Sequence, residues 1–543
     1  LAQAMKGGAA TVSAADPDEA RALAGLCGFA EPADFQRALD GAVADARNAL
    51  RILTSGPLAE FERYRPQGQP DDVDKLEDLG FVDGAGLSET IGAWAARSEA
   101  TERFAALAPG LLTAFGETQR PDAAARLFDA LMKSPAGANG VPKLFVQASH
   151  ARDGVVAAMG CFSPATEALA DSDDDLLELI TPRGKESPER ASEWLSRYPA
   201  PAAGAPLAEI AAWRRETIAR IALYAGARDL SFDVAASALE AAAEVALVRV
   251  MTAVAREKRG GEGLALYIVD GPCRGLPGAP SVFGFIKTNK AACPEAEDLA
   301  RGVVDALDAM GRGQFAMTAD LSHRPGGAGG ALAPDAAAFK AYVQSGAIAQ
   351  EQLLFARARV VAGQPAAQEA AKSALRSAVM TPRRADTLLR EVDRARAQRL
   401  RRDRSASDWD LEHLEGGPFD VDLLISMLIY RHAAAQPAAQ SADPDAALDV
   451  LVKAGLVSHQ VAHTLKSARA FYARIATAKA LARWSDPQTE PVRPRFAQLL
   501  AHAAGVARFQ DIRPLLRGHA EEVTRLYAQL VLGRPAQSLV ANG

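Results

Sequence analysis

Apolar residues that recur every three or four positions through most of the 543 residues constrain this chain more than any other feature. That period puts a stripe of side chains on one helix face, so the fold must be built mainly from packed helices. Leu107, Leu111, Leu112 and Phe115, then Ala125, Phe128, Leu131 and Met132, mark two helices broken around Pro121. Helix resumes at Leu207, with Trp213, Ile218, Ile221 and Leu223 forming a stripe through Leu230, and a second long helix spans about Val234 to Arg256. Ser172-Asp173-Asp174-Asp175 reads as a capped helix start whose acidic groups complement the helix dipole, ending before Pro182. Residues 181–206, rich in Pro, Ala, Gly, Ser and charge, read as a linker.

The period changes once. Leu264-Ala-Leu-Tyr-Ile-Val269 is a strand, followed by a turn-rich stretch 270–280, a second strand Val282–Ile286, a helix near 295–310 and a third strand Phe315–Leu321. One compact α/β island therefore sits in a helical chain, and after Pro325 helices take over to the C-terminus. Gly416-Gly417-Pro418 places proline in the first turn of a helix, Phe419–His432, that is apolar on nearly every side and is expected to lie inside a bundle. No period of about 20–50 residues repeats, which argues against a solenoid.

Composition excludes several functions. With 61 Lys+Arg against 67 Asp+Glu, the formal charge of −6 argues against a bulk electrostatic nucleic-acid binder. No apolar run approaches the roughly 18 residues of a membrane span. Cys27, Cys161, Cys273 and Cys293 lie far apart without a Cys-x-x-Cys pair, which excludes a sequence-evident zinc finger or disulfide scaffold and fits a reducing cytoplasm. Residue 1 is Leu and the first fifteen residues lack a signal-peptide layout, so the chain reads as a piece of a longer protein.

Several collinear motifs carry a resemblance. Trp409-Asp-Leu-Glu-His-Leu-Glu-Gly-Gly-Pro-Phe-Asp-Val-Asp422, continuing to Arg431-His432-Ala433, resembles a segment of the bifunctional glutamine synthetase adenylyltransferase/deadenylylase family. Asp320-Leu-Ser-His-Arg-Pro-x-Gly and the stretch from Tyr342 through Glu351 to Arg357-Ala-Arg-Val-Val-Ala-Gly363 resemble further family motifs, in order. Upstream, Leu79-Gly-Phe81, Arg97-Ser98, Pro135-Ala-Gly137 and Arg215-Glu216 fall in the same order, and Cys27–Phe35 resembles the closing segment of the family's first catalytic half. The resemblance implies a mainly α protein with a small α/β domain of the polymerase-β nucleotidyltransferase type, flanked by helical domains. The expected division is a helical tail at 1–78, a helical domain and linker at 79–206, a nucleotidyltransferase-like domain at 207–380 and a helical bundle at 381–543. It also implies transfer of AMP from ATP, with magnesium, to a tyrosine of glutamine synthetase under PII signalling proteins, in the cytoplasm.

Nucleotidyl transfer needs divalent cations to neutralise the attacking oxygen and the leaving pyrophosphate, and magnesium takes hard oxygen ligands. The family supplies Asp-x-Asp on one strand, where residues i and i+2 share a face, and a third Asp from a neighbouring strand. Aligned on that pattern, Ser281 is kept, Val282 and Gly284 stand at the two carboxylate positions, and Asp320 alone remains as catalytic and metal-binding carboxylate. Basic positions near Trp409 become Glu412 and Glu415, and two family tryptophans become Ile348 and Gln350. The expectation is a homologue with a degenerate metal site that works by binding. A rival reading is an active transferase with a replacement ligand such as Asp270 or Glu351.

Each residue has a plainer role beside its functional one. Asp320 suits a hydrogen-bonding turn, and Arg324, Arg357 and Arg359 either cradle phosphate or form internal salt bridges. Gly275, Gly278 and Ser281 make a weak phosphate loop because Pro272, Pro277 and Pro280 remove N–H donors. Asp420 and Asp422 complement a helix dipole, and His459 and His463 read as a surface pair. The nine arginines against four acidic residues in 383–404 read as a solvated helix, and nothing marks the Cys273 thiol as activated.

Overall fold

The computed structural model describes residues 24, 35, 70–97, 110–133, 149–166, 189–258, 260, 263–269, 281–289, 295–310, 319–321, 324–402, 407–440 and 443–534. The expected helix start at Ser172–Asp175, the loop 270–280 with Asp270 and Cys273, Cys27, Cys293 and most of the 1–78 tail lie outside them.

Helices α1 (Pro70–Asp78), α2 (Gly84–Arg97), α3 (Pro121–Lys133), α4 (Ser149–Cys161) and the single turn α5 (Ser163–Thr166) come first. Then follow α6 (Ala191–Arg197), α7 (Leu207–Gly226) and α8 (Phe232–Lys258). The α/β segment comprises β1 (Leu264–Val269), β2 (Ser281–Lys287), α9 (Ala296–Met310), β3 (Ala319–Asp320), α10 (Ala336–Ser345), α11 (Ala349–Phe355), β4 (Ala358–Gly363) and α12 (Pro365–Met380). The C-terminal helices are α13 (Ala385–Arg402), α14 (Pro418–His432), α15 (Pro444–Lys453), α16 (His459–Ala482), α17 (Pro494–Ala504) and α18 (Ile512–Leu530). The mainly helical fold with one small α/β unit is the one expected.

Two expectations are corrected. The linker reading of 181–206 fails at α6, where Trp194 is fully buried and its ring lies 4.8 Å from Tyr198 and 5.1 Å from Tyr224. Those two aromatics give a Pro- and Ser-rich stretch enough apolar surface to dock. Second, helices do not take over directly after Pro325: Ala358–Gly363 is a strand, the fourth of the sheet. Its Val360-Val361 pair suits extended backbone, and Gly363 takes φ +125°, which closes the strand where a side chain is strained.

The sheet order is β3-β2-β1-β4. β1 runs antiparallel to both β2 and β4, and β2 runs parallel to β3. Alternation sorts each strand into two faces. Leu264, Leu266, Ile268, Phe283 and Phe285 pack on α8 and α9 through Leu247, Val250, Val254, Leu299, Val303 and Leu307. Ala265, Tyr267, Val269 and Ile286 pack on the other side against Phe339, Val343, Phe355 and the alanine-rich face of α12. Both faces are covered, which explains why β1 is a continuous apolar run.

A larger core joins helices from before and after this unit. It includes Trp94, Phe128, Phe162, Phe232, Leu424, Phe471, Trp484 and Tyr527. α8 links the cores, because Phe232 to Leu239 enter the large one and Ala243 to Val254 cover the sheet. The first described helices are also fastened to the chain's later part. Gln119 Nε2 donates to Glu490 and to the Pro491 carbonyl at 3.0 and 2.8 Å, and Arg493 donates to the Gly116 carbonyl.

α14 is buried as expected, with Val421, Leu424, Ile425 and Ile429 at 0% exposure. Its entry is polar and closed. Arg396 donates to both Asp420 oxygens at 2.8 and 2.6 Å, Asp420 also accepts from Gly416 N at 2.8 Å, and the guanidinium lies 4.1 Å from the Tyr527 ring centre. Gly416 has φ +76°, and a Cβ there would overlap the Ala520 carbonyl. Asp420 therefore does more than complement a dipole: it neutralises a buried arginine. Asp420→Ala leaves that charge without its partner and should cost about 3–5 kcal/mol in urea unfolding, while Arg396→Met with Asp420→Ala should recover part of the loss. Equal destabilisation by the single and double variants would contradict this assignment.

Candidate functional site

The two strand positions that the resemblance assigns to carboxylates face the α10–α12 side of the sheet. Val282 packs partly against that apolar cluster, and Gly284 is buried directly opposite Tyr267 in the β1–β2 register. A Cβ at 284 would come within 2.5 Å of Tyr267 Cζ. The phenol ring is held by Phe339 and Phe355, each 6.3 Å away between ring centres, and those two rings lie 5.0 Å apart. Burial pushes the Tyr267 hydroxyl above its usual range, with Arg324 opposing and Glu351 reinforcing the shift. A neutral, enclosed phenol thus fills the space in front of the strand position that lacks a side chain.

Asp320 sits on β3, in register with Val282, and Ser281 is in register with Ala319. The backbone therefore places Ser281, Val282 and Asp320 together at one edge of the sheet. Arg324 follows on the turn and donates to the Leu321 and Gly330 carbonyls, so its guanidinium braces the glycine-rich loop.

The other two arginines are elsewhere. β4 is the opposite edge strand, three strand spacings or about 14 Å of backbone from β3. Arg357, just before β4, donates through Nη1 to Asp422 Oδ2 and through Nε to Ser426 Oγ, each at 2.7 Å. Arg359 makes a forked pair with Glu244 of α8, with Nη1 to Oε1 at 2.8 Å. Both form the internal salt bridges that were the plainer reading of these side chains, and they tie β4 to α14 and α8. Asp422 is therefore an ion-pair partner, where a dipole role was expected. Glu244 was not singled out from the sequence, since its partner lies 115 residues away.

Glu351, a candidate replacement ligand, is 8% exposed and already engaged. Its Oε2 accepts from Tyr342 Oη at 2.7 Å and from Ile348 N at 3.0 Å, closing the first turn of α11. Burial and this hydrogen bond raise the Tyr342 hydroxyl above its ordinary range. Glu415 accepts from Arg396 at 3.2 Å, Glu412 lies 3.7 Å from Arg399, and Ile348 is 57% exposed. In the arginine-rich segment, Arg383 donates to Gln352 and to the Ala347 carbonyl, so this helix start is fastened to α11. His459 and His463 are both exposed. Cys161 is fully buried and its thiol is pushed up to about 12 by burial, the behaviour of a core residue.

Gly284→Ala should destabilise by about 1–3 kcal/mol, because Tyr267 cannot retreat from its aromatic neighbours. In a Tyr267→Ala background the same change should cost much less, a coupling read from a double-mutant cycle of melting curves. Additive effects would show that the two positions do not share space.

Comparison with known proteins bears on residues 296–374, which match the family model for glutamate-ammonia ligase adenylyltransferase. That interval contains Asp320, Arg324, Glu351, Arg357 and Arg359 and begins after Val282 and Gly284. The bifunctional glutamine synthetase adenylyltransferase/adenylyl-removing enzyme of Caulobacter vibrioides is 32% identical over 218 residues, covering 39% of this chain and 22% of that protein. The enzymes of the same description from Chromobacterium violaceum and a Bradyrhizobium species are 32% and 26% identical over 174 and 212 residues, covering 32% and 39% of this chain. The matched region spans only 19% and 22% of those two proteins. In its α/β unit, this chain is similar to the glutamate-ammonia ligase adenylyltransferases.

Proposed function

We propose that this chain is an adenylyltransferase homologue that acts by binding, in control of nitrogen metabolism, and does not itself transfer AMP at this site. The observation that carries the reading is the pairing of Gly284 with Tyr267. A transferase of this kind needs two carboxylates on that strand face to hold magnesium beside the triphosphate. Positions 282 and 284 offer no oxygen ligand, and the enclosing residues Phe339, Val343 and Phe355 are apolar. Among the described residues the donor set does not fit a two-magnesium centre.

Asp320, Ser281 and Arg324 remain the residues through which a nucleotide would be held at the β3 edge, while Arg357 and Arg359 serve as internal salt-bridge partners at the opposite edge. The partner most consistent with the relatives' activity is glutamine synthetase, with a PII-type protein as the second candidate and the cytoplasm as the compartment. No helix among the described residues is long and apolar enough to cross a membrane.

With purified glutamine synthetase, ATP and magnesium, the chain should incorporate no labelled AMP, yet it should co-elute with glutamine synthetase or PII in size-exclusion chromatography. Robust magnesium-dependent turnover abolished by Asp320→Asn would overturn the proposal in favour of an active transferase with a substituted ligand. Tight ATP binding that is indifferent to chelator would instead place a metal-free nucleotide sensor here.

A further inference from the structure

On the far edge of the sheet from Asp320, strand β4, helix α12 and the segment before α15 enclose a groove of about 290 Å³. Its lining carries three cationic side chains, Arg359, Lys372 and Arg376, and no Asp or Glu. Lys372 and Arg376 are four residues apart on α12, so they project from the same face. Arg359 is oriented by its forked pair with Glu244. Lys372 makes only an exposed pair with Glu369 at 2.8 Å, on side chains 52% and 74% exposed, which a ligand anion can readily replace. Arg376 is exposed and makes no ion pair among the described residues.

Gln440 also lines the groove. The floor beneath these donors is apolar, formed by Val360, Leu375 and Val379.

We infer that this groove binds a phosphate monoester of nucleoside-monophosphate size, with the phosphate against Lys372 and Arg376 and the body on the apolar floor. A guanidinium and an ammonium on one helix face suit a tetrahedral dianion better than a single carboxylate. The volume lies at the lower end of small-molecule pockets, roughly 300–1,000 Å³, so it suits a mononucleotide and excludes a polymer. The site lies on the opposite edge strand from Asp320 and needs no metal, so it does not rest on the reading of the transfer site.

The test uses the full chain and AMP as probe, by isothermal titration calorimetry in EDTA. AMP should bind saturably, inorganic phosphate more weakly, and adenosine not at all. Lys372→Ala and Arg376→Ala together should weaken AMP by about tenfold or more, the loss of two charge-assisted contacts. Both side chains are exposed on α12, and an unchanged circular dichroism spectrum checks that the variant is folded. No AMP binding, unchanged affinity in the double variant, or adenosine binding as tightly as AMP would each overturn the assignment. Loss of binding in Asp320→Asn alone would place the nucleotide at the other edge.

Discussion

A four-stranded sheet covered on both faces can carry ionised carboxylates only where water, a cation or a paired base reaches them. That constraint governs this molecule. The face toward α8 and α9 is wholly apolar, and the face toward α10–α12 is closed by Tyr267, Phe339 and Phe355. Those rings pack at the strand position opposite Gly284, so that face is part of the core.

The charged residues that remain follow the same logic. Arg357 with Asp422, Arg359 with Glu244, and Arg396 with Asp420 are each matched to a carboxylate across an element boundary. Two of these pairs anchor β4, and the third closes the start of the buried helix α14. Their geometry sets how the α/β unit meets the helices around it, while contributing less net stability than their short distances suggest, since desolvation offsets much of the attraction.

Much of the architecture was legible in the sequence because it is written in short-range patterns. The β1 run Leu264–Val269, the second strand and the all-round apolar α14 each announce themselves within one element. β4 was not legible: six residues of Ala, Arg, Val and Gly carry no clear period between two helices. α6 was hidden by its Pro- and Ser-rich flanks. At the site, the expectation that Val282 and Gly284 stand at carboxylate positions came from the motif resemblance. The occupant of the space could not be read, because it depends on a cross-strand register that brings Tyr267 opposite Gly284. The arginine partners were likewise unreadable, as Asp422 and Glu244 lie 65 and 115 residues from the groups they neutralise.

The clasp between Gln119 and the segment at Glu490 and Pro491 joins residues 371 and 372 positions apart. On a ribosome adding about 5–20 residues per second, the earlier helices wait roughly 20–70 s before that partner segment emerges. Throughout that interval, apolar side chains of the shared core such as Phe115 and Phe128 lack part of their eventual cover. The pace of synthesis therefore sets how long this half-built core waits for its cover, a quantity independent of the stability of the finished fold.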